Sequence, residues 1–279
     1  MPPSLPDFDD RVNHDGQARG ISPRVSTERQ DADAIYGVGF SEGERRVAKT
    51  SENVAQSIVH DIMARGLHTG DRLPLEAAML QEYRVSRASL REALRLLEVQ
   101  GLISLKPGPG GGPVVGSVDA RHLARTISLY FHLGGMKYGD IFATQESLEP
   151  MCAELAARHP DRKERMKPFT DTRSAPKEGA GYHATTYDFH NVIYDMTDNP
   201  VLSLITKAVT SIISTHIVST MDPVELHEAI IEEHADIARA IAAGQASKAA
   251  KLVATHFAVQ HEYYRRHWPT RFDELIEWR

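Results

Sequence analysis

The stretch from residue 73 to residue 115 constrains the fold of this chain more than any other. Two segments with helical periodicity are separated by a turn at residues 83–85, and a glycine-rich segment between apolar runs follows the second. On a helical wheel, arginines gather within an arc of about 80°, beside an apolar arc. The arginines are Arg84 (which precedes the predicted helix), Arg87, Arg91 and Arg95, and the apolar residues are Leu90, Ala93, Leu94 and Leu97. This order predicts a winged helix-turn-helix, which places one helix in a DNA groove.

Local signals mark the ends of this helix and the hairpin after it. Ser86 stands at the N-cap position with Ser89 in the first turn, and Gly101 stands at C′. Residues 102–105 and 113–115 predict two short strands, joined by a tip whose glycines allow close approach to a sugar-phosphate edge. These glycines do not form a nucleotide-phosphate loop, because neither a Gly-Lys-Ser/Thr sequence nor a helix follows them. Arginines at helical spacing are often only a solvated face; their sequence context here favours DNA binding.

Residues 46–117 resemble the GntR family of bacterial transcription regulators. The resemblance lies in Leu73-Pro74-x-Glu76, in Val85-Ser86-Arg87-x-x-x-Arg91-Glu92-Ala93-Leu94-x-x-Leu97, in Gly101-Leu102-Ile103 and in the glycine-rich wing. It implies that Arg87 and Arg91 contact DNA and that a wing-tip glycine enters the minor groove. Ala77 stands where the family usually has a further DNA-contacting arginine. The predicted DNA-binding residues are Arg84, Ser86, Arg87, Ser89, Arg91, Gly108 and Gly110.

Composition places the chain among ordinary globular proteins. Its net charge of −6 argues against a non-specific polycationic DNA coater, whereas a local basic face suits a specific regulator. A single cysteine, Cys152, suits a reducing cytoplasm and a buried structural thiol. No targeting segment is apparent, and the most apolar run, residues 202–218, is interrupted by Lys207 and His216, so we expect a cytoplasmic protein without membrane contact.

Three regions are predicted along the chain. Residues 1–45 show no sustained periodicity and are expected to be a disordered tail, and residues 46–117 form the winged domain, whose first helix is expected over residues 51–66, capped by Ser51. Residues 118–279 show helical patterns at 119–134, 138–158, 181–197, 200–219, 223–243 and 246–266, with a loop near 160–181. The predicted fold is therefore mainly α, with a winged helix-turn-helix before an antiparallel all-α bundle of six or seven helices.

The bundle region, residues 120–266, resembles the FCD domain of FadR-type GntR regulators. The resemblance lies in Ser147-Leu148-Glu149-Pro150, Phe189-His190, Asn199-Pro200, Glu233-His234, Ala240-Ile241-x-x-Gly244 and His256. It implies a homodimer that binds double-stranded operator DNA and a small organic metabolite. It also implies a repressor that its effector releases, and often a divalent metal in the bundle core.

The family's usual metal ligands are an aspartate, a histidine four residues later, and two histidines 22 positions apart. His190, His234 and His256 match the histidines, whereas Thr186 stands at the aspartate position. Imidazole nitrogens suit zinc and similar ions, and we expect weaker metal binding than in aspartate-bearing relatives. Gln145 replaces a family arginine that binds acidic effectors, which implies an effector that is less acidic or one that binds elsewhere. The predicted effector-binding residues are Gln145, Thr186, His190, His234 and His256.

Two other functions compete with a metabolite-responsive regulator. Three histidines around a metal also describe a metal-dependent hydrolytic enzyme, although the sequence has no His-Glu-x-x-His or Gly-x-Ser-x-Gly motif. No acid is positioned beside the histidines to serve as a general base, since Glu233 and His234 are neighbours whose side chains diverge. An architectural DNA-binding protein without an effector is the third alternative, and polar groups in the bundle make it less favourable.

Overall fold

The computed structural model describes residues 42–108, 111–117, 119–168 and 179–278. The winged domain begins with helix α1, Glu42–Ala64, and continues with α2, Glu76–Tyr83, and α3, Arg87–Val99. Helix α1 starts before the predicted cap Ser51, which is fully buried within the helix. The prediction of Ser51 as a cap is therefore wrong; the charged residues before it are good helix formers that extend the helix. Residues 1–41 of the expected tail lie outside the described residues.

The helix-turn-helix follows from backbone signals at three positions. Arg84 ends α2 in the left-handed conformation, with φ of 51°, and so turns the chain toward α3. The Ser86 hydroxyl accepts a hydrogen bond from the Ser89 amide at 3.1 Å and caps α3, as predicted. Gly101, at φ of 73°, ends α3: its amide and that of Leu102 donate to carbonyls of the last helical turn, which is the Schellman arrangement.

The wing is an antiparallel hairpin of β1, Ile103–Lys106, and β2, Gly112–Val115. Ile103 pairs with Val115 and Lys106 with Gly112, which confirms the predicted strands. Ile103 and Val115 bury their side chains beside the apolar arc of α3, together with Ile58 from α1. This shared core holds the arginine face of α3 outward.

Seven helices of the described chain form the bundle. They are α4 (Ala120–Leu133), α5 (Tyr138–Arg158), the short α6 (Arg162–Arg165), α7 (Gly179–Asp195), α8 (Pro200–Ile213), α9 (His227–Ala242) and α10 (Ala246–His267). Their limits lie close to the predicted ones. The exception is the helix predicted over residues 200–219, which changes to a π-helical turn at Ser214–Val218. Short 3-10 turns cover Val224–Leu226 and Pro269–Asp273.

The bundle core has two adjoining apolar clusters. One lies among α5, α7, α9 and α10 and includes Cys152, Phe189 and Ile237; the other lies among α4, α5 and α8 and includes Phe142 and Ile212. The segment Pro200–Val218 is long and apolar enough to cross a membrane, but 56% of its most apolar window is buried inside the bundle. Its apolar character is therefore explained by its position as a core helix.

Cys152 provides a test of this packing. It is fully buried on α5, and burial raises the pKa of its thiol to about 11, with a contact to Thr206 opposing the shift. A pKa raised from about 9 to about 11 lowers the thiolate fraction about 100-fold at neutral pH. We therefore expect a thiol-reactive chromogenic disulfide to modify the native chain at least about 100-fold more slowly than the urea-unfolded chain. Equal rates would contradict the buried position of Cys152.

Candidate functional site

Three buried histidines from three helices meet in the bundle core. His190 lies on α7, His234 on α9 and His256 on α10, and one ring nitrogen of each lies within 4.8 Å of the others. The Nε2 atoms of His234 and His256 are 3.3 Å apart. Nitrogens bound to one tetrahedral zinc at about 2.0–2.1 Å would be about 3.4 Å apart, so small side-chain rotations suffice to bind one ion. The structure thus brings together the histidines that the sequence singled out.

Carboxylates lie beside one nitrogen of two of these rings. His256 Nδ1 lies 2.7 Å from Glu233 Oε2 and donates a hydrogen bond to it, so Nε2 carries the lone pair that points to the cluster. His190 Nδ1 lies 3.4 Å from Glu149 Oε2. A carboxylate on the far nitrogen fixes the tautomer and raises the ligand strength of a histidine. Glu233 diverges from its neighbour His234, as expected, but its carboxylate reaches His256 on the next helix, a contact that the sequence did not predict.

Glu149 is a carboxylate buried at the centre of the bundle. Only 1% of the residue is exposed, and its Oε1 accepts hydrogen bonds from Gln145 Nε2 and Thr210 Oγ1, both at 3.2 Å, and from the Tyr194 hydroxyl. Burial alone would raise the pKa of Glu149, but His190 and the hydrogen bonds from Tyr194 and Gln145 outweigh it and hold this pKa below its usual value. Glu149 therefore stays ionised at neutral pH.

Two rings of the cluster, those of His234 and His256, are in the form that binds metal. Burial holds the pKa of His234 well below its usual value, and the neighbouring imidazoles lower it further. Burial also lowers the pKa of His256, although the hydrogen bond to Glu233 opposes the shift. Both rings are therefore neutral at neutral pH, and a neutral imidazole can donate its lone pair to a divalent ion. This donor set fits a zinc-like ion.

A cavity of about 360 Å³ lies beside the histidine cluster. Three of the predicted effector-binding residues, Gln145, Thr186 and His190, line it. His234 and His256, the other two predicted effector-binding residues, are not among its lining residues. Gln260 and Phe257 line the cavity and contact His256. The cavity and the cluster are thus adjacent, with His190 belonging to both.

The cavity wall is mostly apolar and carries uncharged polar groups. Among its lining residues in the described part of the chain none is lysine or arginine. Aromatic and aliphatic side chains form most of the wall surface, namely those of Phe142, Tyr187, Ile213, Val218, Phe257 and Tyr264. Hydroxyl and amide groups come from Thr186, Thr210, Ser214, Ser219, Gln145 and Gln260. His261, which the sequence reading missed, places its Nε2 atom 3.0 Å from Gln145 Oε1. The π-helical turn contributes Ser214 and Val218, and such turns are frequent at functional sites.

On the winged domain, α3 presents its arginines to solvent. Arg87 and Arg91 are exposed, and Arg91 Nε lies 3.2 Å from Glu76 Oε1. Ser89 is only 4% exposed and its hydroxyl is bonded to that of Ser86, so it belongs to the helix cap; its DNA contact stays a prediction. Gly108 lies at the wing with φ of 92°, a conformation that favours glycine. Gly110 lies outside the described residues.

Two family models match this chain, one in the winged domain and one in the helical bundle. The model of bacterial regulatory proteins of the gntR family matches residues 50–111, and the FCD domain model matches residues 140–259. The chain belongs to the GntR family, as an FCD-containing regulator of the FadR type. It is a metabolite-responsive DNA-binding transcription regulator rather than an enzyme.

Individual relatives of this GntR regulator align along most of its length. The Uxu operon regulator of Haemophilus influenzae is 26% identical over 76% of this chain and 81% of its own length. The HTH-type transcriptional repressor NanR of Cronobacter sakazakii is 25% identical over 82% of this chain and 91% of its own length. A solved structure, Streptococcus agalactiae GntR, superposes with a TM-score of 0.58 at 21% identity, covering 76% of this chain and 99% of that one. The last comparison shows that the fold is shared.

The buried position of Glu149 leads to a stability prediction. Glu149→Ala removes the acceptor of three buried donors and should lower the free energy of unfolding by about 3–5 kcal/mol. Glu154→Ala on the same helix, where the carboxylate forms a more exposed pair with Arg158, should cost less than about 1 kcal/mol. Urea unfolding followed by circular dichroism measures both variants. Equal losses would show that the Glu149 network does not stabilise the bundle.

Proposed function

We propose that this regulator is a cytoplasmic, homodimeric repressor whose operator binding is controlled by a small molecule in the bundle cavity. The observation that carries the proposal is the cavity that shares His190 with the histidine cluster. A relative named as a transcriptional repressor supports the direction of control. A homodimer follows from the size of one winged domain: a single recognition helix covers few base pairs, and a two-fold dimer matches an inverted repeat.

The proposed metal ligands are His190, His234 and His256, which would hold a zinc-like divalent ion. Such an ion supplies a positive centre to which an oxygen or nitrogen atom of an effector can bind. Thr186 lines the cavity one helical turn before His190, at the place where a carboxylate ligand would stand. Its neutral hydroxyl leaves Glu149 and Glu233 as the carboxylates of the site, and both lie behind the histidines.

The proposed effector is an uncharged or weakly acidic, partly apolar metabolite. Gln145 offers an amide in place of a guanidinium, and its neighbour Glu149 is an ionised carboxylate, so a second anion would be repelled. The hydroxyl and amide groups of the wall can instead form hydrogen bonds with hydroxyl or carbonyl groups of an effector, while the aromatic wall accepts an apolar part.

The proposed DNA contacts can be tested with arginine variants. Arg87→Ala and Arg91→Ala should each weaken binding to the DNA upstream of the chain's own gene by about 1–3 kcal/mol, because each removes a contact to base edges or phosphates. Arg158→Ala, an exposed arginine of α5, is the matched control and should bind as the unmodified chain does. Fluorescence anisotropy at fixed salt measures the affinity. If both variants are folded and bind DNA with unaltered affinity, α3 is not part of the DNA interface.

The metal proposal can be tested by restoring the carboxylate ligand. Thr186→Asp should raise zinc affinity by about tenfold or more, since it adds a negative ligand on the face of His190. Thr185→Asp places the same group on a different face of α7 and should have little effect. Titration of chelator-stripped protein against a chromogenic zinc indicator gives the affinities, and His234→Ala should abolish binding. If zinc binds no more tightly to the Thr186 variant than to its control, Thr186 does not face the ion.

A further inference from the structure

Gln260 connects the cavity to the histidine cluster. It lies on α10 one helical turn after His256, and its side chain lines the cavity. Its Nε2 atom lies 2.7 Å from His256 Nε2, and the contact is part-buried. It is therefore the cavity-lining amide in direct contact with a proposed metal ligand.

The direction of this hydrogen bond follows from the other side of the His256 ring. His256 Nδ1 donates to the Glu233 carboxylate, so in the metal-binding form of the ring the proton resides on Nδ1 and Nε2 is an acceptor. An amide oxygen facing Nε2 would leave two acceptors in contact, whereas the amide nitrogen supplies a donor. Gln260, at 2.7 Å, lies closer to His256 Nε2 than His234 Nε2 does at 3.3 Å, and its amide donates to the lone pair that a metal ion would need.

We infer that Gln260 is a gating residue of the metal site. In this structure its amide is hydrogen-bonded to His256 Nε2, and the amide must rotate away before His256 can coordinate an ion. Because the side chain already lines the cavity, the displaced amide becomes a polar group available to an effector there. Metal binding and effector binding are then coupled through one side chain, and such coupling is reciprocal. The inference rests on the proposed metal site.

The test is a cobalt(II) titration of the full chain after removal of metals with a chelator. Cobalt(II) reports tetrahedral imidazole coordination by its visible absorption, so the readout is binding at the site itself. Gln260→Leu keeps much of the side-chain volume but cannot donate a hydrogen bond. It should bind cobalt(II) roughly three- to tenfold more tightly than the unmodified chain, which corresponds to the net strength of one hydrogen bond.

Three further variants make the outcomes separable. Gln245→Leu is the same change at an exposed residue of the same domain and should leave the affinity unaltered. His190→Ala should lose the absorption band, which shows that the band comes from the cluster. Gln260→Ala repeats the test if the leucine variant unfolds. Unaltered or weaker cobalt(II) binding in the folded Gln260 variants, with the band still dependent on His190, would overturn the gating role; no band in any protein would overturn the metal site instead.

Discussion

The helical bundle of this regulator depends on the hydrogen bonds that the buried carboxylate of Glu149 accepts. An ionised carboxylate without partners in a bundle core would cost several kcal/mol, so the fold must bring donors to it. These donors come from three helices: Gln145 on α5, Tyr194 on α7 and Thr210 on α8. Because all three donors must reach the same carboxylate, their hydrogen bonds fix how α5, α7 and α8 are rotated relative to one another. His190 Nδ1 lies 3.4 Å from Glu149 Oε2, so His190 connects this hydrogen-bond network to the histidine cluster.

The charged groups of the two domains differ in their exposure to solvent. In the winged domain the arginines of α3 are exposed, where phosphate can reach them, and the apolar arc beneath them is buried. In the bundle the arrangement is reversed, since carboxylates and imidazoles lie inside. An acidic protein can therefore bind DNA because its basic charge is local, while no lysine or arginine is among the described residues that line the bundle cavity.

Periodicity and end signals predicted most of the fold. The caps at Ser86 and Gly101 were confirmed because they depend on local backbone chemistry. The three histidines were identified by their match to the metal ligands that the family resemblance implies. Ser51 was misread because a serine can also lie inside a helix, where tertiary packing buries it. Glu233, Gln260 and His261 were missed because their partners come from other helices or from the next turn, and sequence spacing does not show which side chains meet across helices.

The central claim is that His190, His234 and His256 form one ligand set rather than a group of packed side chains. Zinc K-edge X-ray absorption of the full chain, loaded with one equivalent of zinc, tests it most directly. The account predicts three imidazole nitrogens at about 2.0–2.1 Å and one further light-atom ligand, with tetrahedral near-edge features. A six-coordinate oxygen shell without imidazole scattering would contradict it.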